Sequence, residues 1–152
     1  MKRKLLGVLV ALPMIMEGLS TGALGAVTET EHLKNQTETM IDILPCVGGR
    51  AEITITYNAV FHTTETSNGL HSTGTIAGTV VANPLRAGVP TYRGHFTQWF
   101  GENINRNASN ACFTFNVRAR ANDGSTIRFH ENAHFIANNS GVELFFDKMH
   151  CR

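Results

Sequence analysis

From Ala51 to Asp147 apolar residues recur at almost every second position, with turn residues breaking the pattern at intervals. Period-two alternation is the pattern of strands that bury one face and expose the other. The strongest run, about Ala51 to Thr64, sets Ala51, Ile53, Ile55, Tyr57, Ala59 and Phe61 against Glu52, Thr54, Thr56, Asn58 and His62. Ser67-Asn68-Gly69 follows, and Asn-Gly is a hairpin signal because both residues accept left-handed dihedrals. A strand from about Leu70 to Ala82 comes next, then a Pro- and Gly-bearing loop from Asn83 to Pro90.

The next strand, about Thr91 to Phe100, sets Tyr92, Gly94, Phe96, Gln98 and Phe100 against Arg93, His95, Thr97 and Trp99. Gly101 to Asn110 is polar and reads as the longest connection. A strand over about Ala111–Ala121 and another over about Ser125–Ala137 flank a second hairpin signal, Asn122-Asp123-Gly124. Asn138 to Gly141 then turns the chain into a last strand over Val142–Lys148. Upstream, Thr37 to Leu44 alternates weakly, with Met40 and Ile43 as its apolar members, and is a candidate first strand that ends at a turn, Pro45-Cys46-Val47-Gly48-Gly49.

The expected fold is therefore all-β: an antiparallel meander of about 7–8 strands, since successive strands joined by short connections become neighbours. Closure into a β-barrel would remove the exposed edges; a β-sandwich is the alternative.

The N-terminus changes the domain picture. Lys2, Arg3 and Lys4 precede a short apolar stretch from Leu5 to Met16, and small residues follow through Ala26. This is the layout of a cleavable secretory signal, and the run is too short for a membrane span. The division expected is 1–25 signal peptide, 26–36 flexible leader without periodicity, and 37–152 a single β-barrel domain, secreted and not inserted in a membrane after cleavage. The chain has 13 bases and 12 acids; Lys2, Arg3, Lys4 and Glu17 belong to the signal, so 10 bases and 11 acids remain, a formal net charge of −1. That balance offers no footprint for nucleic acid.

Export makes a disulfide plausible. Alternating strand directions return the end of the last strand to the rim where the Ala51 strand begins. Cys46 and Cys151 thus fall at one rim and are expected to pair, leaving Cys112 free.

Candidate chemistry is sparse. His130-Glu131-Asn132-Ala133-His134 matches a zinc-protease motif, but that motif needs a helix to bring its histidines together. In a strand, residues four apart lie about 13 Å from each other, so no metal site is assigned. Glu131 is the more informative residue. It occupies an apolar row with Ile127, Phe129, Ala133 and Phe135, where an unpaired carboxylate is costly and its pKa rises. Tyr57, Tyr92 and Gln98 fall on inward positions too, and Gly74, Gly78 and Ala59 could leave room beside them. These residues sketch an interior pocket for a small apolar ligand. Two alternatives stand beside it: a barrel-type isomerase or cyclase with Glu131 as acid/base, and a surface-acting module that meets a partner or glycan through Trp99, Arg93 and His95. No cofactor motif is present, and the oligomeric state stays open.

Ile53–Asn58, Phe96–Asn103 and Asp123–His130 resemble a family of small secreted actinobacterial β-domain proteins. The resemblance spans about Ile41 to Arg152. It implies secretion and a compact β domain and carries no activity; Cys46 and the terminal Cys151-Arg152 also fit it, whereas Cys112 does not.

Overall fold

The computed structural model describes residues 25–105, 108–138 and 141–152, with side-chain surroundings for 25–105, 108–137 and 147–152. The expected signal segment lies outside the described residues up to position 24. Seven strands follow one another: β1 (Val27–Ile43), β2 (Arg50–Thr66), β3 (Gly69–Pro84), β4 (Tyr92–Asn105), β5 (Ala108–Ala121), β6 (Thr126–Asn138) and β7 (Gly141–Cys151). They form one antiparallel sheet in the order β1-β2-β3-β4-β5-β6-β7. The all-β meander is as expected. Among the described residues no ladder joins β7 to β1, and a disulfide described below links the two ends of the sheet.

Two expectations are corrected. Residues 26–36 are not a flexible leader from Val27 onward, because Val27–Leu33 pairs residue by residue with Glu65–Ala59 of β2. The Gly101–Asn110 connection is likewise mostly strand: β4 runs to Asn105 and pairs with β3 as far as Gly69, and β5 starts at Ala108.

The apolar rows point inward, and the curl of the sheet stacks them into two clusters. At the rim where β2 begins, Leu44, Ala51, Ala82, Tyr92, Ala119, Ala121, Ile127 and Phe129 pack together, with Val47 against them. Leu44 and Val47 come from the β1–β2 turn, so that turn caps this end. The turn is held by backbone hydrogen bonds from Leu44 N to Gly49 O and from Gly48 N to Leu44 O, both 2.9 Å. The second cluster, Ile55, Tyr57, Ala59, Phe61, Ile76, Val80 and Phe96, fills the middle. Tilted and edge-on ring pairs, Phe61–Phe100, Phe96–Phe115 and Phe115–Phe129, continue it across five strands.

Strands approach closely at Gly78 and Gly94. A Cβ on Gly78 would overlap the Thr56 carbonyl oxygen and stand 2.7 Å from Tyr57 Cα. On Gly94 it would overlap the Arg118 carbonyl oxygen and stand 2.5 Å from Ala119 Cα. At Gly74 the obstacle is the rings of Phe100 and Phe61. Gly74 and Gly78 therefore do not open a space: rings and a neighbouring backbone already occupy it.

β1 is fastened to β2 on the outer face by threonine pairs, Thr28–Thr64, Thr37–Thr56 and Thr39–Thr54, at 3.2, 3.1 and 3.0 Å. A bulge between Leu33 and Gln36 inserts one extra residue, with Asn35 at φ 52° and its N–H donating to Asn58 Oδ1 at 2.9 Å. The Cys46–Cys151 bridge is formed, with Cα atoms 5.5 Å apart, and Cys112 is free. A disulfide is consistent with an oxidising, extracellular compartment.

Candidate functional site

The interior residues singled out from the sequence are not gathered into one site. Tyr57 is buried and its hydroxyl donates to Glu38 Oε1 at 2.6 Å; burial first, then this hydrogen bond and the Glu38 charge, push its pKa up to about 12. Tyr92 lies in the rim cluster, where Ser125 Oγ donates to its hydroxyl at 3.2 Å. Gln98 and Glu131 share one cross-strand row, but Phe115 stands between them.

Glu131 sits opposite Phe115 on one side and Met149 on the other, half-buried and on the inward face. The bulge in this region falls at His134/Phe135, too far along β6 to turn Glu131 outward. Burial, and then the like charge of Asp147, raise its pKa above the ordinary 4.5. A carboxyl whose pKa rises on folding favours the folded state when protonated and penalises it when ionised. Stability should fall as pH climbs from about 4.5 towards neutrality, and Glu131→Gln should remove part of that fall. Urea midpoints of both proteins between pH 4 and 7 check this; parallel curves would place Glu131 in full contact with water.

The H-E-x-x-H residues lie in β6, where alternation sends His130 and His134 to the outer face and Glu131 inward. His130 is built into an outer hydrogen-bond chain. Its Nδ1 donates to Asn116 Oδ1 at 2.6 Å, and its Nε2 accepts from Asn132 Nδ2 at 2.8 Å. Asn132 Oδ1 in turn accepts from Thr114 Oγ1 at 2.7 Å. A groove at the β2–β3 hairpin is lined by Thr64, Asn68, Leu70, His71 and Ile104, and Glu131 is not among its lining residues.

The pairing register reveals an arrangement that the linear reading missed. Charges are sorted by face. Glu29, Glu31, Glu38 and Asp42 on β1, Glu65 on β2, Glu102 on β4, Glu131 on β6 and Asp147 on β7 all share the inward register. The bases take the opposite face. Four consecutive strands each carry two of them, two residues apart: Arg93 and His95 on β4, Arg118 and Arg120 on β5, Arg128 and His130 on β6, Lys148 and His150 on β7.

The register sets these side by side. Arg93 faces Arg120, His95 faces Arg118, Arg118 faces Arg128, and His130 faces His150. Directly opposed side chains have Cβ atoms about 5 Å apart, and the like charges of the two arginine pairs, Arg93:Arg120 and Arg118:Arg128, are destabilising there. Arg93, Arg118, Arg120 and Arg128 are all exposed, and among the described residues no hydrogen bond or ion pair engages their guanidinium groups. Outer positions of β3 to β6 hold no carboxylate among the described residues.

Trp99 borders this field on β4, 43% exposed and opposite Thr114. Its six-membered ring lies over Gly101: Cη2 and Cζ2 are 3.1 and 3.4 Å from where a Cβ on Gly101 would stand. Of the three surface residues singled out from the sequence, Arg93 and His95 thus fall inside the basic field and Trp99 at its border. The signal for the rest, a base at i and i+2 in each of four strands, is present in the sequence but only register gives it a meaning. No family model, curated protein or solved structure matches the chain.

Proposed function

We propose that this is a secreted, surface-acting binding module that holds an anionic partner on the outer face of β4–β7. The observation that carries the reading is the field of opposed arginines on β4 to β6, Arg93:Arg120 and Arg118:Arg128, with no carboxylate on the outer positions of those strands among the described residues. Such pairs oppose folding, and a partner bearing negative charge turns the same repulsion into attraction. Sites that act in binding commonly carry such a cost in stability. The interior readings, a small apolar ligand or acid/base chemistry at Glu131, have less support: the tyrosines are engaged elsewhere and the small residues are backed by rings and backbone. Secretion is supported by the disulfide and by the basic-then-apolar N-terminal sequence.

The test uses dextran sulfate as the probe. Its affinity should fall steeply with added salt, and Arg118→Glu should weaken it about tenfold or more, because reversal both removes an attraction and adds a repulsion. Arg118→Thr should weaken binding less and raise folding stability by a few tenths to about 1 kcal/mol, by relieving the clash with Arg128. Salt-independent binding, or unchanged affinity in Arg118→Glu, would exclude the outer face as the site.

A further inference from the structure

We infer that the anionic partner is a polysaccharide, seated along the β4–β5 pair with one sugar ring stacked on Trp99. The inference rests on the binding face proposed above and adds the class of ligand. Read along these two strands, the outer face is a graded track. Trp99 and Thr114 lie at one end, then Thr97 and Asn116, then His95 and Arg118, then Arg93 and Arg120. At about 3.4 Å per residue the track spans roughly 20 Å, the reach of a short oligosaccharide.

Each step suits a different part of a charged sugar chain. Trp99 offers an exposed indole, an apolar surface of the size of a pyranose ring. Gly101 gives that indole its seat, since any side chain there would meet the ring, and Cys112 lies beside it with its thiol directed at the Gly101 carbonyl at 3.7 Å. Thr97 is exposed, and Asn116, whose Oδ1 already accepts from His130, has its amide N–H groups left to donate to ring hydroxyls. The two arginine rows then meet carboxylate or sulfate groups, which a guanidinium binds with two parallel hydrogen bonds.

Competing polyanions fit this track less well. A nucleic acid strand is held by several stacked aromatic side chains along its path; here Trp99 is the single tryptophan of the chain and the neighbouring outer positions are Thr73, Thr75, Thr97 and Thr114. A membrane surface is met by an apolar face that enters the lipid, and threonines do not supply one.

The single tryptophan makes the test direct, because all indole emission comes from Trp99. Four probes are titrated: hexagalacturonate, dextran sulfate, inorganic polyphosphate and an oligothymidylate. The expected result is that both sugar chains bind and shift Trp99 emission, whereas polyphosphate binds to the arginines without shifting it. Trp99→Ala should weaken both sugar chains about tenfold, the loss of one stacked ring, and leave polyphosphate unchanged. Gly101→Ala, which disturbs the seat and keeps the indole, should lie between. Polyphosphate binding that depends on Arg118 together with sugar binding indifferent to Trp99→Ala would overturn the polysaccharide inference and leave the anionic face standing. Oligothymidylate binding that depends more strongly on Trp99 than either sugar chain does would overturn it in favour of a nucleic acid. Binding of none of the four probes would remove both readings together.

Discussion

Replacing Cys46 and Cys151 by Ser should lower the melting temperature more than any single surface change. The bridge closes a loop of 105 residues, worth about 4 to 5 kcal/mol in the loop-entropy relation. For a domain of this size that corresponds to roughly 12 to 20 °C. The native state contributes as well, because the β7 and β1 edges have no ladder between them and this bond is their covalent link. Thermal denaturation followed by circular dichroism, in a Cys112→Ser background to prevent reshuffling, measures the loss. A shift under about 5 °C would mean that other contacts hold the two edges together and that the unfolded chain is little constrained by the bridge.

Gly78→Ala should be the most damaging change of a single small residue. The added methyl would run into the backbone of β2 at Thr56 and Tyr57, and a backbone in mid-ladder cannot step aside without breaking its own hydrogen bonds. About 3 kcal/mol or more is expected, at the upper end for overpacking. Gly94→Ala faces the same obstacle in Arg118 and Ala119 and should behave alike. Gly74→Ala is the control: its methyl meets the rings of Phe100 and Phe61, which can turn, and about 1 kcal/mol is expected. Urea unfolding of the three variants should rank them in that order. Equal losses would show that the sheet yields at β2–β3 as easily as a side chain does.

Much of this fold was legible because β2 to β6 keep a strict alternation, with Asn68-Gly69 and Asp123-Gly124 marking two of the reversals. The pairing of Cys46 with Cys151 followed from counting reversals alone. β1 reads as a strand in the sequence only from Thr37 onward, and its earlier part is obscured for two physical reasons. Its inward positions include Glu29, Glu31, Glu38 and Asp42, so buried-side residues look polar. The bulge at Leu33/Gln36 then moves the inward set from odd to even positions, which erases the period across the element. The stretch after Gly101 was missed because Glu102, Asn103 and Asn105 have weak strand preference; they extend β4 because β3 on one side offers a ladder to complete.

The candidate site was legible only in fragments. Arg93, His95 and Trp99 stood out, but a net charge near zero argued against an electrostatic partner. Net charge carries no information on which face each charge occupies. Here alternation sends nearly every acid in the strands inward and nearly every base outward, so a near-neutral chain folds into a molecule with two oppositely charged faces. Glu131 misled in the opposite sense. Its inward position was read correctly, but being inward does not bring Tyr57 and Tyr92 to it when Glu38 and Ser125 are nearer partners.

The staple between Cys46 and Cys151 also decides how the molecule carries mechanical load. Tension applied between Val27 and Arg152 enters β1, passes down its backbone to Cys46, crosses the sulfur atoms to Cys151 and leaves at Arg152. Residues 47–150 form a closed covalent ring that lies off this line. Pulling on the two ends can peel β1 from β2, but it cannot unravel β3 to β6, which present most of the basic face. Tension between the two ends therefore leaves β3 to β6 unloaded for as long as that one bond stays oxidised.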